Sequence, residues 1–139
     1  MGMLGGIFGF GRHSPLELAE EMVRAINTRD FESLSSICQK GFTFIDGDGN
    51  RIEGCDNFIT AMQGLIAAAP DFKVEVDRFD LTDETVIMHG QTLSQDPGFA
   101  SESLWRFVTR RGKLHLLENY NANARERLVN YVPGRESVG

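Results

Sequence analysis

The sequence has little positive charge and no long apolar run. Lys and Arg total 14 against 20 Asp and Glu in 139 residues, which gives a net charge of −6. Because affinity for nucleic acid rests on clustered Lys and Arg, this balance argues against a nucleic-acid partner. No apolar stretch approaches the ~20 residues that span a bilayer. The length suits one compact domain, without membrane contact.

Cysteine and histidine are scarce and widely spaced. Cys38 and Cys55 share no motif spacing, and we interpret them as reduced thiols of a cytoplasmic protein. The three histidines lie far apart without ligand spacing, so they do not indicate a metal site. The sequence therefore predicts neither a metal nor a cofactor.

The glycine-rich start, MGMLGGIFGFGRH, lacks the basic segment and the continuous apolar stretch of a signal peptide. It is interpreted either as a flexible arm or as an arm whose apolar side chains dock on a partner. Since termini usually fray, the flexible arm is favoured for residues 1–13. A single domain is predicted over residues 14–123, followed by a C-terminal extension over residues 124–139.

Helix signals dominate the first half of the chain. SPLE from residue 14 has the order of a capping box with proline at the first helical position. Asp30 is predicted to cap a second helix that ends at Gly41, and Asp56 to cap a third that Pro70 stops. Apolar residues recur at helical spacing in each of these segments.

Strand signals dominate the second half. A short strand is predicted at residues 42–45, and from Phe72 apolar and charged residues alternate as in a half-buried strand. Further strands are predicted at about residues 85–94, 101–110 and 113–121. Helices gathered on one face of such an antiparallel sheet make an α+β domain. If the sheet curls, its concave face and the helices enclose a cavity.

The stretch FIDGDGN contains Asp46, Asp48 and Asn50 alternating with glycine, like the first ligands of a calcium loop. Such a loop needs glycine at its sixth position and glutamate at its twelfth, where Arg51 and Asn57 stand here. We therefore interpret the stretch as a turn. Asp46 either points into the cavity, with its pKa raised by apolar neighbours, or starts the turn by accepting a backbone hydrogen bond. The turn role is favoured.

In their order and spacing, three segments carry a resemblance to a known family: AEEMVRAINTRDFESLSSI, FTFIDGDGNRIEG and GKLHLLENYNA. From about residue 16 to 121 the chain resembles the nuclear-transport-factor-2-like (NTF2-like) superfamily. Within it, the chain is similar to the SnoaL-like group of ketosteroid isomerases, polyketide cyclases and limonene epoxide hydrolases. The resemblance implies a cone-shaped, cystatin-like α+β barrel of curved mixed sheet. Three helices would close a deep apolar pocket, and a homodimer is expected.

The resemblance to ketosteroid isomerases implies a catalytic base at Asp46. The oxyanion-holding tyrosine of those enzymes corresponds to Met22 here, and their protonated aspartate falls near Leu104. In these isomerases, the inward positions of the strand at residues 101–110 are counted back from the turn at Gly112 and Lys113. This count would direct Leu104 and Arg106 inward. Polarity alone would direct Trp105 inward instead, and a bulge would reverse the parity. One face of this strand is expected to contact a second copy of the chain.

The other relatives imply different roles. The water-holding residues of limonene epoxide hydrolases correspond to His89, Gln91 and Asn119. In the manner of polyketide cyclases, His89 would act with Asp46 or Glu118. The alternative for His89 is a neutral, hydrogen-bonded histidine inside the barrel.

The predicted site has two catalytic candidates, Asp46 and His89. The predicted pocket residues are Met22, Phe44, Phe58, Met62, Gln91, Leu104, Trp105, Glu118, Asn119 and Tyr120. The expected function is a cofactor-free isomerase, cyclase or hydrolase acting on a small hydrophobic, carbonyl-bearing molecule. The alternative is a non-catalytic small-molecule-binding or dimerisation module of the same fold.

Overall fold

The computed structural model describes residues 13–122 and 126–132 of the chain. Helices α1, α2 and α3 span Pro15–Thr28, Phe31–Ile37 and Cys55–Ala68. Strands β1 to β6 span Cys38–Asp46, Arg51–Glu53, Lys73–Thr82, Thr85–Leu93, Ser101–Arg110 and Lys113–Asn121. A 3-10 helix follows at Leu128–Tyr131. The predicted arm lies outside the described residues except for His13.

The six strands form one mixed sheet in the order β2-β1-β6-β5-β4-β3. Strands β1 and β6 are parallel, and the other neighbouring pairs are antiparallel. The sheet does not close on itself. Together with the three helices it forms the predicted α+β architecture, a curved cone. We call the sheet face that carries the buried residues Phe44, Met88 and Trp105 the inner face, and the opposite one the outer face.

Local sequence signals set the helix starts. Ser14 and Glu17 form the predicted capping box, with hydrogen bonds of 2.9 and 3.1 Å. The Asp30 side chain caps α2, also as predicted. However, α2 ends at Ile37 rather than at Gly41, because Cys38 already has the extended backbone of β1.

The third helix begins two residues earlier than predicted. Its N-cap is Gly54 rather than Asp56, and no side chain caps it. The Gly54 φ angle of +91° lies in the left-handed region that glycine adopts most easily. Phe58, on the first turn of this helix, packs its ring edge-on against Phe42 at 4.9 Å and beside Phe44 at 5.7 Å. These contacts join α3 to the inner face of β1.

Strand β3 contains a bulge that exchanges its two faces. Val76 pairs with Gly90, but Arg78 rather than Asp77 pairs with the next residue, His89. The extra residue directs Phe79 towards the core beyond the bulge. Gly90 permits the close approach, because a Cβ there would lie 1.9 Å from the Glu75 carbonyl oxygen.

Strand β5 follows the polarity of its sequence. Trp105 and Phe107 are buried in the core, so the count that directed Leu104 and Arg106 inward is wrong. Burial alternates along β5 without interruption from Ser101 to Thr109, because the register shift at Val108 and Thr109 puts the extra residue in β6 and not in β5. The faces of β5 therefore follow the alternation of its own sequence.

Candidate functional site

A cavity with a volume of about 70 Å³ lies between the inner face and helices α1 and α3. Its walls are mostly apolar, and they include six buried side chains: Met22, Phe44, Phe58, Met62, Trp105 and Leu117. Five of these were predicted to line a pocket, and Leu117 was not. The 3-10 helix closes one side through Leu128.

One end of the cavity is polar. Asp46 and Asn119 are paired neighbours on the parallel strands β1 and β6, and Asn121 follows on the same side of β6. Arg127 also lines this end. An adjoining cleft of about 190 Å³ shares Asp46, Asn121 and Arg127 with the cavity. We call Asp46, Asn119 and Asn121 the polar end.

Asp46 both lines the cavity and starts the turn. It is only 7% exposed and lines the cavity, yet its Oδ1 accepts hydrogen bonds from the backbone N–H groups of Asp48 at 2.9 Å and Asn50 at 3.0 Å. Its Oδ2 accepts one bond, from Asn50 Nδ2 at 3.1 Å. The predicted DGDGN turn is therefore confirmed, and it fixes the carboxylate at the cavity. Oδ2 retains a lone pair for a further donor.

The two asparagines of the polar end have hydrogen-bonding capacity to spare. Asn119 Nδ2 donates to the Leu104 carbonyl oxygen at 3.3 Å, and Asn121 Oδ1 accepts from Ser103 Oγ. Within residues 13–122 and 126–132, Asn119 Oδ1 and the Asn121 amide N–H groups have no hydrogen-bond partner. The polar end therefore offers a ligand both acceptors and a donor.

Residues 126–132 pack beside the polar end, where they contact the turn at Asp48 and the loop at Gly98. Arg127 Nε donates to Asp48 Oδ2 at 2.8 Å, and the Glu126 backbone N–H donates to the Gly98 carbonyl oxygen at 3.0 Å. Tyr131 donates from its hydroxyl to Glu126 Oε1 at 2.8 Å. Burial, then this contact with Glu126, raises the pKa of Tyr131 to about 12. Part of the predicted C-terminal extension thus packs onto the domain beside the cavity.

Five predicted site residues lie on the outer face, away from the cavity. His89 Nε2 is 3.1 Å from both Asp80 Oδ2 and Arg78 Nη2. The prediction that His89 shares a pocket with Asp46 is therefore wrong. Gln91 donates to Glu75 on the same face. The remaining three outer-face residues are Leu104, Glu118 and Tyr120.

Strand alternation explains these corrections. Along β4, Met88 and Thr92 point inward, so His89 and Gln91 point outward. Along β6, Asn119 points inward, which puts Glu118 and Tyr120 outside. Glu118 accepts from Arg106 Nη1 at 2.8 Å on that face, and Tyr120 is 45% exposed.

Sequence reasoning missed Asn121, Glu126 and Arg127 as cavity-lining residues. The period of two along β6 predicts Asn121 once Asn119 is placed inward. No local signal indicates Glu126 or Arg127, because their position depends on contacts with the turn at Asp48 and the loop at Gly98.

The part of the chain that the structure describes contains no group of three His, Cys, Asp or Glu side chains able to hold a metal ion. Nor does any helix there have the length and apolarity needed to cross a bilayer. The polar side chains that line the cavity are those of the polar end together with Thr92, Glu126 and Arg127.

Comparisons with known proteins agree with this architecture. The model of the SnoaL-like domain matches residues 19–115, more than half of the chain. No curated protein matches the chain with significant similarity. The chain therefore belongs to the SnoaL-like domain family.

Solved structures share the fold at low sequence identity. An NTF2-like protein of unknown function from Cytophaga hutchinsonii is 19% identical, with a TM-score of 0.68, over 80% of this chain and 92% of its own. A candidate SnoaL-like polyketide cyclase from Shewanella denitrificans is 16% identical, with a TM-score of 0.70, over 78% and 90%. An LEH-like epoxide hydrolase from M. tuberculosis is 15% identical, with a TM-score of 0.67, over 78% and 82%. At these identities the likeness concerns the fold.

Proposed function

We propose that the cavity binds a small, mostly apolar molecule whose polar group lies at the polar end. The observation that carries this proposal is the buried Asp46 carboxylate, held at the end of an otherwise apolar cavity with a lone pair of Oδ2 available. Binding sites of this kind combine apolar walls with a few polar groups that orient the ligand.

The size of the cavity limits the ligand. The volume of about 70 Å³ is the space open to the centre of a water-sized sphere, and one water requires roughly 10–15 Å³ by this measure. The cavity therefore fits a molecule with few non-hydrogen atoms. Met22 and Met62 line the cavity, and methionine adopts several rotamers at low cost. A larger ligand would have to displace these two side chains.

The charges around the polar end favour a ligand group that is neutral or donates hydrogen bonds. Asp46, Asp48 and Glu126 are acidic, and Arg127, the basic residue lining the cavity, pairs with Asp48. An anionic group would be repelled by this excess of carboxylates. A hydroxyl can donate to Asp46 Oδ2, whereas a carbonyl oxygen can accept from Asn121.

A second candidate function is cofactor-free proton transfer on the same ligand. It is favoured by the placement of Asp46 and Asn121 in one cavity with unused hydrogen-bonding capacity on each. Asp46 Oδ2 would take a proton from the carbon next to a carbonyl, and the Asn121 amide would hold the carbonyl oxygen. General-base catalysis of this kind contributes about 10²–10⁴-fold to the rate.

Ligand binding can be followed with Trp105, because it is the only tryptophan of the chain and lines the cavity. Native mass spectrometry of the purified protein should detect a co-purified small molecule. Small hydroxy and carbonyl compounds with apolar bodies should then change the Trp105 emission at saturating concentration. If none co-purifies and none changes the emission, the binding proposal is wrong.

The Asp46→Asn variant separates binding from catalysis. Asparagine retains an oxygen for the two backbone bonds of the turn, so the variant should fold. Asp80→Asn, on the exposed outer face, is the matched control. If the protein is an enzyme, Asp46→Asn should turn the bound compound over at least ~100-fold more slowly while Asp80→Asn stays normal. Equal turnover by both variants would exclude Asp46 as the base.

A further inference from the structure

A second reactive cluster lies apart from the cavity, at the junction of α2, β1 and α3. A cleft of about 440 Å³ there is lined by Ser35, Lys40, Asp56 and both cysteines. Cys38 and Cys55 are free, and they are 8% and 9% exposed. The two thiols therefore lie at the floor of a cleft that small reagents can enter.

The fold brings these distant cysteines together. Cys38 is the first residue of β1, and Cys55 is the first residue of α3. The Gly54 backbone N–H donates to the Phe42 carbonyl oxygen at 2.7 Å, which holds the start of α3 against β1. Both thiols line the same cleft, and Cys55 Sγ lies 3.9 Å from the Ser35 carbonyl oxygen.

The surroundings make the two thiols unequal. Cys55 lies in the first turn of a 14-residue helix, where the backbone N–H groups favour a thiolate. The neighbouring Cys38 side chain lowers the pKa of Cys55, and the nearby Ser35 and Lys113 act in the same direction against burial and Asp56. The neighbouring Cys55 side chain and burial raise the pKa of Cys38, which Lys113 only partly opposes.

We propose that Cys38 and Cys55 form an oxidisable dithiol, which hydrogen peroxide converts into a disulfide within one chain. The Cys55 thiolate attacks one peroxide oxygen, the O–O bond breaks, and the leaving hydroxide takes a proton to become water. Cys55 is then a sulfenic acid. The Cys38 sulfur attacks the Cys55 sulfur, the S–O bond breaks, and a second water leaves. The two thiols lose two electrons and two protons, which the peroxide receives.

This disulfide would join β1 to helix α3, which carries the three cavity residues Phe58, Met62 and Leu65. Cys55 lies one turn before Phe58, which lines the cavity together with Met62. The oxidised form would therefore hold one wall of the cavity covalently to the start of β1. The dithiol itself does not depend on what the cavity binds.

The test treats the reduced, full-length chain with one equivalent of hydrogen peroxide. The expected product is two mass units lighter, reacts with no maleimide, and yields tryptic peptides 30–40 and 52–73 joined by a disulfide. A chain that keeps both thiols, forms only intermolecular disulfides, or gains oxygen without the linked peptides would overturn the proposal. These readouts need no variant.

Single serine variants test the unequal roles. Cys38→Ser should stop at the Cys55 sulfenic acid, which dimedone traps as one adduct. Cys55→Ser should consume peroxide at least tenfold more slowly, because the remaining Cys38 thiol is buried and protonated. Equal peroxide rates for the two folded variants would contradict the assignment of Cys55 as the attacking thiol. Circular dichroism establishes that both variants are folded.

Discussion

Replacing Gly90 with alanine tests whether the bulge in β3 depends on the close approach between Gly90 and the β3 backbone. The new Cβ would lie 1.9 Å from the Glu75 carbonyl oxygen and 2.8 Å from Val76 Cα. Non-bonded carbon atoms favour separations of about 3.5–4.0 Å, so strand β3 would have to move by roughly 1 Å or more. Because backbone atoms form the obstacle, no side-chain rotation can relieve the contact.

The magnitude follows from this backbone contact. Overpacking that side chains can absorb costs about 1–3 kcal/mol. Here the pairing of β3 with β4 must itself shift at Val76 and Gly90, so we expect a loss of about 3–5 kcal/mol of unfolding free energy. That is a large part of the ~5–15 kcal/mol by which domains are stable.

Urea denaturation followed by circular dichroism measures the effect. Gly41→Ala is the matched control, since Gly41 also lies in a strand and a Cβ there would meet no atom within 4 Å. The control should change stability by less than ~1 kcal/mol, in either direction. If the two variants unfold within 1 kcal/mol of each other, the bulge is not held by the close approach at Gly90.

Three further predictions concern a cap, the outer face and residues 126–132. Arg24 and then Ser33 lower the pKa of Asp30 to about 2, below its ordinary 3.8. The ionised Asp30 carboxylate thus stabilises the folded state above about pH 4, and this stabilisation is lost as the pH falls towards 2. Thermal scans should therefore show that Asp30→Ala lowers Tm at pH 7 but hardly at pH 2. If the outer face joins two copies, Leu104→Arg should convert the dimer to a folded monomer in sedimentation equilibrium; a monomeric parent protein would refute this. Gly64→Ala should loosen residues 126–132, because its Cβ would lie 3.1 Å from Tyr131 Cβ, and hydrogen exchange there should increase; unchanged exchange would count against this packing.

Structural features that depend on interactions within a few residues could be predicted from the sequence. The Ser14–Glu17 capping box and the Asp30 cap were found because a cap and its target lie within one turn of each other. Strands 101–110 and 113–121 were placed at their observed bounds, because the period of two and the Arg111-Gly112 turn are local patterns. The α+β class follows from these elements.

The site was predicted in part for the same reason. The turn at Asp46 was predicted from its local sequence, whereas its placement at the cavity was implied only by the family resemblance. Met22, Phe58 and Met62 follow from the apolar stripes of α1 and α3. His89 was misplaced because its side of the sheet depends on its strand partners rather than on its neighbours in sequence.

By itself, the sequence determined where α1 and α2 begin, the bounds of β5 and β6, which stripes are apolar, and that a carboxylate ends β1. Tertiary structure alone decided the bulge opposite Gly90, the pairing of Cys38 with Cys55, and the placement of Arg127 beside the turn at Asp48. These features join residues far apart in the chain. Capping and periodicity act between near neighbours, whereas register and close approach depend on how whole elements pack against each other.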